Sequence, residues 1–378
     1  MTADTLLDRA AELKQQLVQF SQSGRYDRAF RNMLAEGRQD AGLEGEEQAI
    51  LLWDSFLLEH RLRDGRTVVE QFVESRPDLS RQDRELLLGW RDVVTGVFEV
   101  QRRDGSALVL SNLVDDLTYR TLATTGPSVF RRMPRRSFLL TRVVPLGDEW
   151  MFSGPTTVLR PADRDIAGRL ALEMTLRSPE TAYRNPERLA RARELQQAER
   201  ERFLRFFGSD LVVVPGSQAQ RRLDEFSEFS HAELMRAITR PRGIARPVTM
   251  TLPPEVIGAE TVGLVFDEDD GLSFWPDFGL VQEAFADPEL ARHRRYRHQV
   301  LACLQDQEQP PTALRRLAER DPAKASALFS RLLKRKDFDW SREGEQLLRT
   351  AKSDYFARPH LPKITPVSDR LAAYARRR

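Results

Sequence analysis

Apolar residues recur with a helical period through roughly the first ninety positions of the chain. Leu6, Leu7, Ala10, Leu13, Leu17 and Phe20 fall on one helix face. After Ser23-Gly24 a second, short helix carries Tyr26, Phe30 and Leu34 as far as Gly37, and a third over 46–62 buries Ile50, Trp53, Phe56 and Leu57. Asp64-Gly65 predicts a turn, and 67–74 a helix with Val69, Phe72 and Val73 on its apolar face. Pro77-Asp78-Leu79-Ser80 breaks the chain before a helix running to about Trp90. Ser80 accepts from early helix amides, and Asp83 three residues on forms a near capping box.

The period then drops to two. Short β-rich runs at 97–102, 107–110, 117–123, 138–145, 150–152 and 156–159 follow, with Asp104-Gly105 as a hairpin turn. Strands this short and dense predict a small, strongly curved antiparallel barrel of the SH3-like kind. Helices return at 164–176 and 186–207; the second opens with Asn185 as N-cap, Pro186 at the first helical position and Glu187 in the first turn. A short buried strand at 211–214, a helix over 219–239, and strands at 248–252, 262–266 and 272–275 come next, the last two joined by a turn at Asp269-Asp270-Gly271. The tail is helical, with Asp287-Pro288 and Asp321-Pro322 as helix starts and further helices over 312–318, 342–351 and 368–377. The expected fold class is therefore α+β: N-terminal helices, a small antiparallel β-barrel, a mixed α/β segment and a helical C-terminal tail. Composition breaks near 95, 161 and 246, which predicts modules at 1–95, 96–161, 162–245 and 246–378.

The stretch from about 46 to 161 resembles a helical-plus-β module of uncharacterised bacterial proteins, some of which carry a cysteine-rich, zinc-binding SEC-C tail. The likeness rests on Trp53-Asp54-Ser55-Phe56, Asp64-Gly65-Arg66-Thr67, Arg76-Pro77-Asp78-Leu79, Leu87 to Trp90, Gly96-Val97-Phe98-Glu99-Val100 and Phe152-Ser153-Gly154-Pro155. This chain ends in Ala373-Tyr374-Ala375-Arg376-Arg377-Arg378, with no cysteine there. The resemblance implies a fold and no activity.

Composition narrows the chemistry. Hydrophobic residues make up 40% and charged residues 31%, as in globular chains. The sequence opens Met1-Thr-Ala-Asp-Thr-Leu-Leu-Asp, acidic where a secretory signal is basic, and has no run of apolar residues long enough for a membrane span. With a single cysteine, Cys303, the expected location is cytoplasmic and no membrane contact is expected. A net charge of +2 exerts no global pull on nucleic acid. Only six of the 59 basic residues are lysine. Arginine binds carboxylate and phosphate bidentately, but these arginines spread along the whole chain, as inflated codon usage would spread them.

Several chemistries are excluded. A phosphate-binding loop needs Gly-Lys; no lysine lies between Lys14 and Lys324, and none follows glycine. The same gap removes the Asp…Glu-x-Lys nuclease arrangement that Pro276-Asp277 superficially begins. One cysteine makes no cysteine-based zinc site, and His231-Ala232-Glu233 lacks the second half of a deaminase motif. No GxGxxG or GxSxG sequence occurs. His293 and His298 are spaced five apart where a helical zinc pair needs four. Asp267-Glu268-Asp269-Asp270-Gly271 departs from the calcium-loop pattern and reads as a solvated hairpin turn. Cys303 reads as a buried structural thiol between Leu301 and Leu304, and the five tryptophans read as core anchors. No metal and no cofactor is expected.

One cluster rises above this background: Arg131-Arg132-Met133-Pro134-Arg135-Arg136, a loop between predicted strands, with Arg120 and Arg142 in the same module. It reads either as an anion-binding surface or as a solvated loop paired to acids such as Glu44, Glu46 and Glu47. The function expected from the sequence is a non-catalytic binding or scaffold protein with a protein partner. The alternatives are a nucleic-acid-binding protein acting through the arginine loop, and an enzyme whose site is assembled from scattered groups such as Glu99, Asp115 and Arg120. The oligomeric state stays open.

Overall fold

Helix starts in the N-terminal segment are set by short polar side chains that satisfy the free amides of the first turn. In the computed structural model, which describes residues 3–36, 46–237 and 250–375, α1 (Ala3–Ser21), α2 (Asp27–Glu36), α3 (Glu46–Leu58), α4 (Val68–Ser75) and α5 (Arg81–Gly89) precede the first strand. A complete capping box forms at Thr67 and Glu70, where each side chain bonds the other's backbone. At α5 the expected box is only half made. Ser80 Oγ accepts from Asp83 N at 3.1 Å, but the Asp83 carboxylate turns away to take a bidentate pair from Arg9 of α1 at 3.0 Å. A helix–helix tie has replaced the local one. The predicted end of the second helix at Gly37 lies outside the described residues.

Five strands follow: β1 (Val94–Asp104), β2 (Ala107–Asn112), β3 (Thr118–Leu122), β4 (Phe138–Leu146) and β5 (Glu149–Leu159). Their hydrogen bonds close a ring in the order β1-β2-β3-β5-β4. The expected all-antiparallel arrangement needs correcting, because the ring closes through a parallel β3–β5 contact of two residue pairs, Thr121↔Trp150 and Leu122↔Met151. The sheet is mixed. The predicted runs 150–152 and 156–159 are one strand, which passes through an irregularity in its pairing with β4. Gly154 at that point has φ +78°, a backbone conformation that side chains with a Cβ rarely adopt.

Strand alternation separates the side chains inside the ring from those outside it. Phe98, Val100, Leu108, Leu110, Leu139 and Val143 pack together inside the ring. Ala107, Leu122, Val144, Leu146 and Met151 face the helices and share one core with Leu13, Leu17, Phe56, Phe72 and Trp90. The helices of 1–95 and the ring therefore belong to one compact unit, residues 1–188 together with 367–378. α6 (Arg164–Arg177) and the short α7 (Pro179–Ala182) complete its central part; Ala167 and Ala171 of α6 pack with Val97, Phe138 and Leu371.

The second unit, residues 189–366, begins within α8 (Pro186–Phe207). It holds β6 (Leu211–Pro215), α9 (Gly216–Ala237), α10 (Pro254–Ile257), β7 (Thr261–Asp267), β8 (Gly271–Pro276) and α11 (Phe278–Ala286). α12 (Arg294–Gln305), α13 (Thr312–Arg320), α14 (Pro322–Leu333), α15 (Trp340–Ala351) and α16 (Ser353–Ala357) follow; α17 (Asp369–Ala375) returns to the first unit. The antiparallel sheet β6-β7-β8 packs Leu264 and Phe266 against Phe203 and Phe226, and Val265 and Trp275 against the later helices. Of the strand expected at 248–252, positions 250–252 are irregular; positions 248 and 249, like the break at 246, lie outside the described residues. Among the described residues no helix is long and apolar enough to cross a membrane.

Helices and ring are joined by a buried ion cluster. Asp54 of α3 receives Lys14 of α1 at 2.5 Å, Ser153 Oγ of β5 at 2.9 Å and Arg142 Nε of β4 at 3.4 Å. Arg142, 2% exposed, also pairs with Glu59 at 2.5 Å. Burial pulls the Asp54 carboxyl upward, but Lys14, Arg142 and the Ser153 hydroxyl outweigh it and hold the pKa below the usual carboxylate range. Asp54→Ala should cost about 3–5 kcal/mol in urea denaturation at neutral pH, because it leaves Arg142 buried with one partner fewer. Since the folded-state pKa is depressed, this contribution is present above the unfolded carboxylate pKa and is lost as pH falls through the folded value. The difference between wild type and Asp54→Ala should shrink in acid.

Candidate functional site

The connection between β3 and β4 carries the arginine cluster, and its own sequence pins it down. Gly126 (φ +81°) turns the chain into a 3-10 segment, Pro127–Arg132. Phe130 and Met133 point inward and are buried in the ring core. Ser137 Oγ closes on Pro134 O at 2.6 Å, Arg136 N donates to Val100 O at 2.8 Å, and Val100 N to Ser137 O at 2.9 Å. Arg136 adopts φ +66°, one of four non-glycine residues with positive φ among those described. With Phe130 and Met133 anchored inside, Arg131, Arg132, Arg135 and Arg136 are left exposed.

No carboxylate among the described residues lies within 4 Å of any of these four, and none of their guanidinium groups donates a hydrogen bond there. Of the acids expected as partners, Glu44 and the side chains of Glu46 and Glu47 lie outside the described residues. The other two candidates sit elsewhere. Arg120 on β3 is held by Asp104 at 2.9 Å and by Glu149, and Arg142 belongs to the buried Asp54 cluster.

Beside the loop lies a cleft of about 660 Å³, walled by α1, by the β3–β4 connection and by β5. Arg132 and Lys14 are its charged lining residues; Thr124, Thr125, Ser153 and Thr156 supply hydroxyls, and Val129, Phe152 and Val158 an apolar floor. A second cavity of about 580 Å³, lined in part by Phe30, Trp53 and Leu57, shares Lys14, Val18 and Gly154 with it.

The remaining sequence candidates do not converge. Glu99 pairs with Arg370, and Asp115 is buried, accepting from Tyr119 Oη at 2.6 Å, Asn112 Nδ2 at 2.9 Å and Leu117 N at 2.8 Å. Burial raises the Asp115 pKa. Neither they nor Arg120 line either cavity. His293 and His298 are exposed. Burial pushes the Cys303 thiol up to about 12, which makes it inert as a nucleophile. Among the described residues no three His, Cys, Asp or Glu side chains group as metal ligands.

The acidic turn differs from its expected solvated form. The hairpin exists, with Asp267 opposite Gly271, but Asp267 and Asp270 are buried. Asp267 accepts from the amides of Asp269 and Asp270, both at 2.8 Å, and from Thr312 Oγ1, while Asp270 receives Tyr355 Oη at 2.5 Å. These carboxylates knit the turn to α13 and α16. Sequence reasoning also missed α11, whose apolar Phe278–Ala286 run lacks the polar face that marks an amphipathic helix. It missed the Lys14–Asp54–Arg142 cluster too; its one legible signal was three charged residues at positions the helical and strand patterns turn inward.

Residues 8–175 match the model of a family of unknown function (DUF7986). The matched span takes in most of α1, α2 to α5, the whole ring and most of α6. No curated protein and no solved structure matches the chain.

One buried cation in the second unit yields a pH test. Lys352 is fully buried; its Nζ donates to Asp306 O at 2.5 Å and Gln309 O at 3.2 Å and lies 5.8 Å from the Trp275 ring. Burial lowers its pKa to about 8, opposed by Asp306 and Cys303 and assisted by Arg358. The folded protein therefore releases this proton before the unfolded chain does. The charged lysine penalises folding below about pH 8, and the penalty fades toward the unfolded value near 10.5. Stability of wild type relative to Lys352→Met should rise by a few kcal/mol between these limits, measured by denaturant titration at several pH values.

Proposed function

We infer that residues 8–175 form a binding module that docks acidic partner proteins at the loop carrying Arg131, Arg132, Arg135 and Arg136. The observation that carries this reading is the state of those four guanidinium groups, exposed and without a carboxylate among the described residues. Elsewhere most described arginines sit against an acid, as Arg9, Arg66, Arg76, Arg120 and Arg184 do. A loop fixed by Phe130, Met133 and three backbone or hydroxyl bonds presents its charges with little ordering cost on binding. Planar forks in fixed places suit carboxylates, which they grip in pairs. Nucleic acid is the second reading, since phosphates take the same forks. It is weaker because a single strand needs aromatic platforms, and no Phe, Tyr or Trp side chain is exposed among the described residues.

Fluorescence anisotropy with labelled short polyglutamate and with labelled duplex DNA, each over a salt series, tests this. Wild type should bind polyglutamate, and replacing the four arginines with alanine should weaken binding by about tenfold or more. Duplex bound more tightly than polyglutamate, with a slope of log K on log salt near −3.6 for about four phosphate contacts that flattens in the variant, would transfer the loop to nucleic acid. Wild type and variant binding both probes equally poorly would remove the reading.

A further inference from the structure

The ring has a gap. β4 covers one edge of β5 from Glu149 to Leu159, but β3 covers the other edge only at Trp150 and Met151. Past Leu122 the chain leaves the sheet through Ala123 and the turn that leads to the arginine loop. No strand among the described residues pairs the outer edge of β5 over positions 152–158. Exposed edges of this kind are templates for another strand. Pro155 fits the assignment, because a residue with no amide proton is tolerated on an edge and not inside a sheet.

The 660 Å³ cleft runs along this same edge. Opposite β5 stand Thr124, Thr125, Val129 and Arg132, so the space is a slot between a free strand edge and the base of the arginine loop. No carboxylate lines it. Of its two cations, Lys14 is neutralised by Asp54, which leaves Arg132 without a described partner. Val158 at its far end is 37% exposed, an apolar side chain left open on a strand.

We propose that this slot takes an extended acidic segment of a partner protein, which adds to the free edge of β5 as a further strand. Alternate side chains of such a strand point to opposite faces. One set enters the apolar side formed by Val129, Phe152 and Val158, and the other places carboxylates on Arg132 and the arginines beyond it. The backbone supplies affinity through ladder bonds to β5, and the loop supplies selectivity for acid. This rests on the acidic-partner reading of the loop and adds to it the backbone geometry of the bound segment.

A fluorescein-labelled heptapeptide of alternating valine and glutamate is the probe, beside the same peptide N-methylated on alternate amides and a valine–lysine counterpart. Strand addition predicts that the acidic peptide binds, that N-methylation weakens it about tenfold or more, and that the lysine peptide does not bind. Val158→Ser, which removes the apolar contact without adding charge, should weaken it while leaving polyglutamate binding to the loop intact. Hydrogen exchange on wild type gives a check independent of any variant, since amides within 152–158 should slow when peptide is added. Equal binding of the methylated and unmethylated peptides, with exchange at 152–158 unchanged, overturns strand addition and leaves the loop reading standing. No binding of the acidic peptide or of polyglutamate removes both.

Discussion

Asp54 is the residue on which the first unit turns. It sits on a helix, is almost fully buried, and is reached by a lysine from a second helix and by an arginine and a serine from two strands. A carboxylate in that position is expensive unless every partner arrives together. The cluster therefore ties α1, α3, β4 and β5 into one geometry, and apolar packing alone is less specific about register. Gly154 lies beside Asp54 with φ +78°, a conformation that residues with a Cβ rarely adopt, so glycine is favoured there by its backbone and not by a lack of space. The irregularity in β5 lies along the open edge.

The arginine loop follows a related logic with opposite sign. Its apolar residues are spent inside the ring and its backbone is bonded to β1, so the charges it carries outward are held in place. In the second unit the burial is of acids. Asp267 and Asp270 satisfy a turn, a threonine and a tyrosine, and Lys352 ends on two carbonyl oxygens in a site with no carboxylate directly bonded to it. Both units place a few ionised groups in their interiors. At Asp54 the charge is met by opposite charges, whereas at Asp115, Asp267 and Lys352 backbone, amide and hydroxyl groups meet it. That difference explains why the Lys352 pKa falls while Asp54 stays ionised.

Much of the secondary structure was legible. Capping residues at Ser80, Asn185 and Asp321, and the turn at Asp104-Gly105, act through neighbours a few positions away, so the local sequence contains the whole interaction. The arginine loop was legible for the same reason, since a proline and a run of charge between strands define it without reference to anything distant. Legibility failed where a residue's partner is far along the chain. Arg120 and Arg142 look like their neighbours at 131–136 in sequence, yet Asp104, Glu149, Asp54 and Glu59 claim them in the fold. Asp267 and Asp270 look solvated in a run of acids, but Thr312 and Tyr355 reach them from helices more than forty residues later.

The sequence by itself determined the element types, most of their boundaries, the absence of several catalytic motifs, and the position of the exposed arginine run. These depend on short-range backbone sterics, capping and periodicity, which each segment carries alone. The tertiary structure decided which charges are free and which are spent, that the ring closes through a parallel contact, and that the closure covers only the first part of β5. Each of these depends on the meeting of groups far apart in the chain. Local preferences do not encode such meetings, because they follow from the packing of whole elements against one another.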